Sequence, residues 1–173
     1  MTIQLLRNSI NHAPLRRGVL LIALFLTALG PPAAELSRAD GGRGGPPNPV
    51  NQTFVFSGIC AFDIQVTVTG KAGVINLPSG GFILTSPGQS GTFMNLSDPT
   101  KSVTLNITGT DHISFDQNGD TINTLTGRNA FVSPSVGLLL LIGNFTFVSD
   151  PNGNLISGPT GTGTTTDICG LIN

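Results

Sequence analysis

The segment 62–69, Phe-Asp-Ile-Gln-Val-Thr-Val-Thr, alternates apolar and polar side chains at every position. Successive side chains of a β-strand point to opposite faces of a sheet, so this period of two predicts a strand with one buried face and one polar face. The same alternation recurs at 103–108, 112–116 and 144–147. These segments indicate an all-β domain.

Turn signals separate the strands at short intervals, and the Asn-Gly pairs at 118–119 and 152–153 favour hairpin turns. The predicted strands cover 52–57, 61–69, 72–76, 81–85, 90–96, 101–108, 111–116, 120–126 and 137–148, with a further candidate at 162–168. We expect a bend at Gly143 and a turn at Lys71. The short links predict a small antiparallel meander, closed or nearly closed into a β-barrel of about eight strands. The alternative is a β-sandwich, because both folds show the same alternation.

The first 34 residues predict a secretory signal peptide. Three arginines precede an apolar core at 18–30, and small residues follow it. This core is shorter than the roughly 20 residues of a membrane helix, so we expect cleavage and no stable membrane span afterwards. An uncleaved signal anchor is the alternative. Residues 35–50, rich in Pro and Gly, predict a disordered linker, and 51–173 form a single all-β domain. The expected location is extracellular.

Charge is scarce in the predicted domain. Charged residues are 10% of the chain, and the only basic residues after position 50 are Lys71, Lys101 and Arg128. A domain with so few cations cannot neutralise a run of phosphates, which excludes nucleic-acid binding and disfavours anionic membranes.

Cys60 and Cys169 are the two cysteines of the chain, and they lie near the two ends of the domain. Export delivers them to an oxidising compartment, which predicts a disulfide bond; two separate thiols are the alternative. A closed loop of about 100 residues is worth roughly 4.7 kcal/mol in the chain-entropy model.

The candidate catalytic residues are His112, the one histidine of the domain, with Asp111 or Asp116 as its partner. Strand parity places Asp116 on the face of His112. The plain interpretation is an exposed surface histidine. Asp116, Asn118 and Asp120 are candidate metal ligands because they begin like a calcium loop, although an Asx-rich hairpin turn explains them equally.

Arg128 is the candidate ligand-binding residue. As the one arginine of the domain, it could clamp a carboxylate ligand or tie an internal aspartate, and we favour the tie.

Five short motifs follow one another along the domain. They are Cys-Ala-Phe-Asp at 60–63, Thr-Gly-Lys at 69–71, Val-Thr-Leu-Asn-Ile-Thr-Gly at 103–109, Thr-Gly-Arg-Asn at 126–129 and Asp-Ile-Cys at 167–169. Their order resembles that of a group of uncharacterised small secreted bacterial all-β proteins with a terminal cysteine pair, over most of 57–171. The resemblance implies export and a paired Cys60 and Cys169, and it implies no activity or site.

We therefore rank three functions. The first is non-catalytic binding of a small neutral or apolar ligand in the interior of the fold. The residues that could line it, which serve equally well as plain core, are Phe82, Phe93, Phe145, Phe147 and 138–142. The second is a cell-surface structural or interaction protein with the Thr/Asn face as its contact area. The third is a small secreted enzyme using His112. No cofactor is expected.

Overall fold

The computed structural model describes residues 45–173, which form nine β-strands and one short helix. The elements are β1 (Asn48–Phe56), β2 (Ile64–Asn76), β3 (Phe82–Thr85), β4 (Ser90–Asn95), β5 (Ser102–Asn106), β6 (Gly109–Phe115), β7 (Thr121–Ser133), β8 (Gly137–Ser149), β9 (Leu155–Asp167) and α1 (Ile168–Leu171). The all-β prediction is confirmed. The predicted signal peptide at 1–34 and most of the predicted linker lie outside the described residues, and β1 begins within the last part of that linker.

Four strands run well beyond their sequence patterns, and β1 is the first of them because it begins at Asn48 rather than at 52. β2 passes through Lys71 without a turn, because β1 pairs with it continuously up to Ala72. It changes partners there: residues 64–69 pair with β4, and residues 73–76 pair with β3. β7 likewise continues through Gly127, and β9 continues through a glycine-rich stretch that resembles a loop in sequence.

All strand pairs are antiparallel, in the order β5-β4-β2-β3-β6-β7-β8-β9, with β1 also paired to β2. Hydrogen bonds do not close this sheet, so the predicted closed barrel is not confirmed. We call β1, residues 64–69 of β2, β4 and β5 the small half-sheet; residues 73–76 of β2, β3 and β6–β9 form the large half-sheet. One half-sheet packs on part of the other, as in the sandwich alternative.

A row of four glycines bends the large half-sheet. Gly109, Gly127, Gly143 and Gly163 are direct register partners across β6 to β9, and the last three have positive φ. A Cβ atom on Gly143 would fall on the carbonyl oxygen of Thr162 and within 2.8 Å of the Cα atom of Gly163. Because these positions carry no side chain, adjacent strands approach closely there. We call this row the crease.

The bend at the crease is large enough to fold the β7–β8 hairpin back on itself. Phe147 pairs with Asn123, so Phe131 lies eight residues away along β7, or about 26 Å in a straight strand. The rings of Phe131 and Phe147 nevertheless meet edge to face with centroids 5.1 Å apart. The bend that the sequence predicts at Gly143 is therefore present, and it extends across four strands.

Two hydrophobic clusters result from this bend. The first joins the inner face of the small half-sheet, including Val66 and Phe93, to Val132 and Leu140 of the large one. The second fills the inside of the crease and consists of Leu125, Phe131, Leu141, Phe145 and Phe147, with Leu139 and Leu155 packed against them. The candidate lining residues Phe93, Phe145 and Phe147 are thus core residues that fall in two separate clusters.

The predicted disulfide bond joins Cys60 to Cys169, with a Cα–Cα distance of 5.6 Å and a sequence separation of 109. Cys60 lies in the link between β1 and β2, and Cys169 belongs to α1. Ile168 and Ile172 flank the second cysteine and are fully buried in the first cluster. The bond therefore fastens the C-terminal end of the domain over its main core.

Candidate functional site

A cleft of about 450 Å³ opens on the outer side of the crease. Its lining residues are Thr85, Ser86, Pro87, Thr108, Gly109, Thr110, Thr126 and Gly127. Five of these carry hydroxyl groups and none is charged. The cleft lies on the surface of the sheet, whereas the sequence pattern predicts a ligand in the interior.

Strand register positions the hydroxyl groups. Thr85 pairs with Thr110, and Thr110 pairs with Thr126, so the three side chains form one line across β3, β6 and β7. The hydroxyls of Thr110 and Thr126 are hydrogen-bonded to each other. The same register continues to Asn144 and Thr162 on β8 and β9. The cleft is therefore one end of a row of neutral polar side chains that crosses five strands.

Ser86 fixes one wall of the cleft. Its buried hydroxyl accepts a hydrogen bond from the Gly109 amide at 2.8 Å and lies within donating distance of the carbonyls of Ile107 and Gly109. These contacts hold the turn after β3 against the link between β5 and β6. At the crease, Gly109 and Gly127 expose backbone rather than side chains, which lets a ligand approach the main chain closely.

The candidate catalytic residues are not brought together. His112 is exposed and projects from the outer face of β6, whereas Asp111, the next residue, is buried on the inner face. Asp116 lies beyond the end of β6, and one of its carboxylate oxygens accepts hydrogen bonds from the amides of Asn118 and Asp120 at 2.8 and 2.9 Å. The parity argument fails for Asp116 because the strand ends at Phe115. Among the described residues, neither aspartate is therefore hydrogen-bonded to His112, and the pairings stay predictions.

Asp111 has an unusual environment. Its side chain is 1% exposed, and neither carboxylate oxygen has a hydrogen-bond partner. Desolvation by burial raises the pKa of Asp111 to about 7. The only other buried side-chain atom without a partner in the described residues is Oδ1 of Asn129, which lies on the same side of the sheet.

The candidate metal ligands form the hairpin turn between β6 and β7. The Asn118 amide group donates to Oδ2 of Asp116 at 3.3 Å, so both oxygens of Asp116 hold the turn closed. In residues 45–173, no group of three or more His, Cys, Asp or Glu side chains could hold a metal ion. The Asp150 turn repeats this arrangement with Asn152 and Asn154.

Arg128 lies close to the cleft and makes hydrogen bonds to main-chain carbonyls of the protein. Its guanidinium Nε donates to the carbonyl of Asn106 at 3.2 Å, and its amide donates to the carbonyl of Thr108. The tie predicted to an aspartate is thus made to the main chain of the β5–β6 link. Lys71, expected at a turn, is exposed within β2.

The cleft residues were not singled out by the sequence patterns. Their one local signal is the Thr-Gly pairs at 108–109 and 126–127 and the Ser-Pro-Gly turn at 86–88, which are also ordinary in β proteins. The strand register that brings them together is set by pairing over long sequence distances.

Comparison with known protein families, with curated proteins and with solved structures finds no match. The fold and the cleft define a disulfide-linked all-β domain with an open antiparallel sheet. Among the described residues, no helix is long and apolar enough to cross a membrane.

Proposed function

We propose that this protein is a secreted, non-catalytic domain that binds a small neutral ligand rich in hydroxyl or amide groups at the crease cleft. The observation that carries the proposal is the lining of the cleft: five hydroxyl side chains, exposed glycine backbone and one proline, without a charge.

The chemistry of the lining selects the ligand class. A charged ligand would lose hydration in the cleft without gaining a counter-charge, which costs free energy. The hydroxyl groups already have hydrogen-bond partners within the protein, so the lining also tolerates the apolar parts of such a ligand. A neutral ligand with both donors and acceptors matches hydroxyls such as those of Thr85 and Thr108, which can donate and accept.

Export is part of the proposal. The basic and apolar pattern of 1–34 and the resemblance to secreted bacterial proteins support it. The Cys60–Cys169 disulfide bond is compatible with an oxidising, extracellular compartment.

A second candidate function is contact with a cell surface through the outer face of the small half-sheet. One observation favours it: Thr53, Thr67, Thr92 and Thr104 are consecutive register partners across all four strands. Neighbouring hydroxyls are hydrogen-bonded in two pairs, at 3.0 and 2.9 Å. This regular neutral row could serve as a contact area.

The test is calorimetric titration of the oxidised protein with neutral mono- and disaccharides, with and without N-acetyl groups. Thr110→Val and Thr126→Val keep the side-chain shape and remove a hydroxyl, so each should weaken binding by about 10-fold, the value of one hydrogen bond. Thr104→Val is the matched control, because Thr104 is an exposed strand threonine in the other half-sheet.

Two results would contradict the cleft proposal. One is the absence of heat or chemical-shift change with every neutral probe at millimolar concentration. The other is equal weakening by Thr110→Val and Thr104→Val. For the second candidate, Thr92→Lys should reduce the fraction of protein retained on cells, and unchanged retention would exclude the small half-sheet as the contact area.

A further inference from the structure

Three buried oxygen atoms on the inner side of the crease need a hydrogen-bond donor. They are Oδ1 and Oδ2 of Asp111 and Oδ1 of Asn129, and none has a partner among the residues that the structure describes. One N–H of the Asn129 amide donates to the carbonyl of Thr126 at 3.0 Å, so this pair of side chains has one N–H left for three acceptor oxygens. Buried polar atoms without partners are rare in folded proteins because each costs free energy. The arrangement therefore lacks a proton.

Asp111 and Asn129 are not register partners, but both side chains lie on the inner side of the sheet near Gly109. The Asn129 side chain lies over Gly109, with its Oδ1 2.5 Å from where a Cβ atom on that glycine would stand. Asp111 is two residues further along β6 and faces the same side, about 6.6 Å away along the strand. An aspartate side chain covers only part of this distance, and one buried water molecule can bridge the remainder.

The two residues also belong to opposite arms of the fold. Of the residues of β7, only 121–127 pair with β6, and they lie up to the crease and on one side of it. Asn129 follows Gly127 and lies on the other side. A link between Asp111 and Asn129 therefore joins the two arms at the inner angle of the bend.

No charge faces Asp111 that could stabilise its ionised form. Its register partners are Leu84 on β3 and Leu125 on β7. β3 and β8 contain no charged residue, and Arg128 on β7 is tied to the carbonyl of Asn106. On β6 itself, His112 projects from the opposite face.

We propose that Asp111 is a neutral carboxylic acid that donates its proton to Oδ1 of Asn129, directly or through one buried water molecule. This hydrogen bond holds the two sides of the crease together. One proton satisfies two otherwise unpaired acceptors. When Asp111 loses this proton, the carboxylate and the amide oxygen are both acceptors, and the hydrogen bond between Asp111 and Asn129 is lost. The device makes the bend of the large half-sheet sensitive to pH.

The sign of the pH effect follows from burial. Because the pKa of Asp111 is raised to about 7 in the folded state, its contribution is fully present below the unfolded value of about 3.9 and is lost as pH rises through about 7. The unfolding equilibrium constant should therefore increase by about 100-fold between about pH 5 and about pH 8.

The experiment combines nuclear magnetic resonance with urea unfolding of the oxidised protein. We expect the Asp111 carboxyl carbon and the Asn129 side-chain amide to titrate together, with a midpoint well above the ordinary range of aspartate. Asp111→Asn cannot ionise and places a permanent donor beside Asn129, so its urea midpoint should change much less between the two pH values. Asp63→Asn is the control, since Asp63 is exposed and should leave the wild-type pH dependence unchanged.

Three results would overturn the proposal. Asp111 could titrate near the ordinary aspartate value, or the Asn129 amide could fail to follow it. Alternatively, Asp111→Asn could retain the pH dependence of the wild-type urea midpoint. The titration requires only the wild-type protein, so the proposal stays testable even if a variant does not fold.

Discussion

Substituting alanine at the crease should destabilise the fold in proportion to how closely the backbone is packed there. Gly143 has φ of +138°, and a Cβ atom added to it would meet the Thr162 carbonyl and the Cα atom of Gly163. Both obstacles are backbone, so relief requires β9 to move away from β8. Conformational strain at such a residue is of order 1–3 kcal/mol, and lost strand pairing adds to it. We expect Gly143→Ala to cost more than about 4 kcal/mol, which is exceptional for one substitution.

Two other glycines separate conformational strain from backbone collision. Gly58 has φ of +74° with nothing within 4 Å of an added Cβ atom, so Gly58→Ala should cost only about 1–2 kcal/mol. Gly127, with φ of +85°, has the Cα atom of Gly109 at 3.1 Å and should be intermediate. Urea unfolding followed by far-ultraviolet circular dichroism measures all three variants. An equal loss at the three positions would refute the close approach of strands at the crease.

Three further predictions concern the disulfide bond, a buried amide and the loss of stability at acidic pH. Removing the disulfide bond with Cys60→Ala and Cys169→Ala together should lower the free energy of unfolding by roughly 4–5 kcal/mol, because it closes a loop of 109 residues; a loss below about 1 kcal/mol in urea would contradict this. Asn95→Ala should cost about 1–3 kcal/mol in the same assay, because its buried amide donates to a main-chain carbonyl near the C-terminus at 3.1 Å. Hydrogen bonds from the side chain and then the backbone of Asn154 lower the pKa of Asp150, so its contribution is present above about pH 4 and is lost as pH falls. Asp150→Asn should flatten the wild-type stability profile below about pH 4, and an unchanged profile would exclude this role.

The sequence predicts the strands well where one face is buried and the other is exposed. Period-two alternation locates the first part of β2, all of β5 and most of β6, because one face of each packs on a core. The continuous apolar run at 138–142 shows no alternation because both of its faces are covered, one by each hydrophobic cluster.

The sequence predicts the bend at Gly143 but not its extension across four strands. A glycine in a strand pattern indicates a bend, a bulge or a turn, and only pairing with other strands decides among them. Gly70 lies within a continuous strand, whereas Gly127, Gly143 and Gly163 form a crease because they are in register. That register joins residues that are 16 or more positions apart.

The candidate site depends on the same long-range register. His112 and Asp111 are neighbours in sequence but lie on opposite faces, so proximity in the chain is misleading on a strand. Thr85, Thr110 and Thr126 are separated by whole strands and form one line. The burial of Asp111 could not be read from composition, because its neighbours in sequence are polar or exposed.

β9 is the last strand in the order of the sheet, and it forms an edge of the sheet as the structure describes it. β9 is 13 residues long and carries no charge before its final residue, and within residues 45–173 it pairs with β8 alone. Its free amides and carbonyls are a template for any extended chain, and proteins usually protect such margins with lysine or proline. Pro159 interrupts this template once. At high concentration, protein molecules should therefore associate edge to edge through β9. Thr164→Lys is the substitution that we would introduce first to keep the protein monomeric.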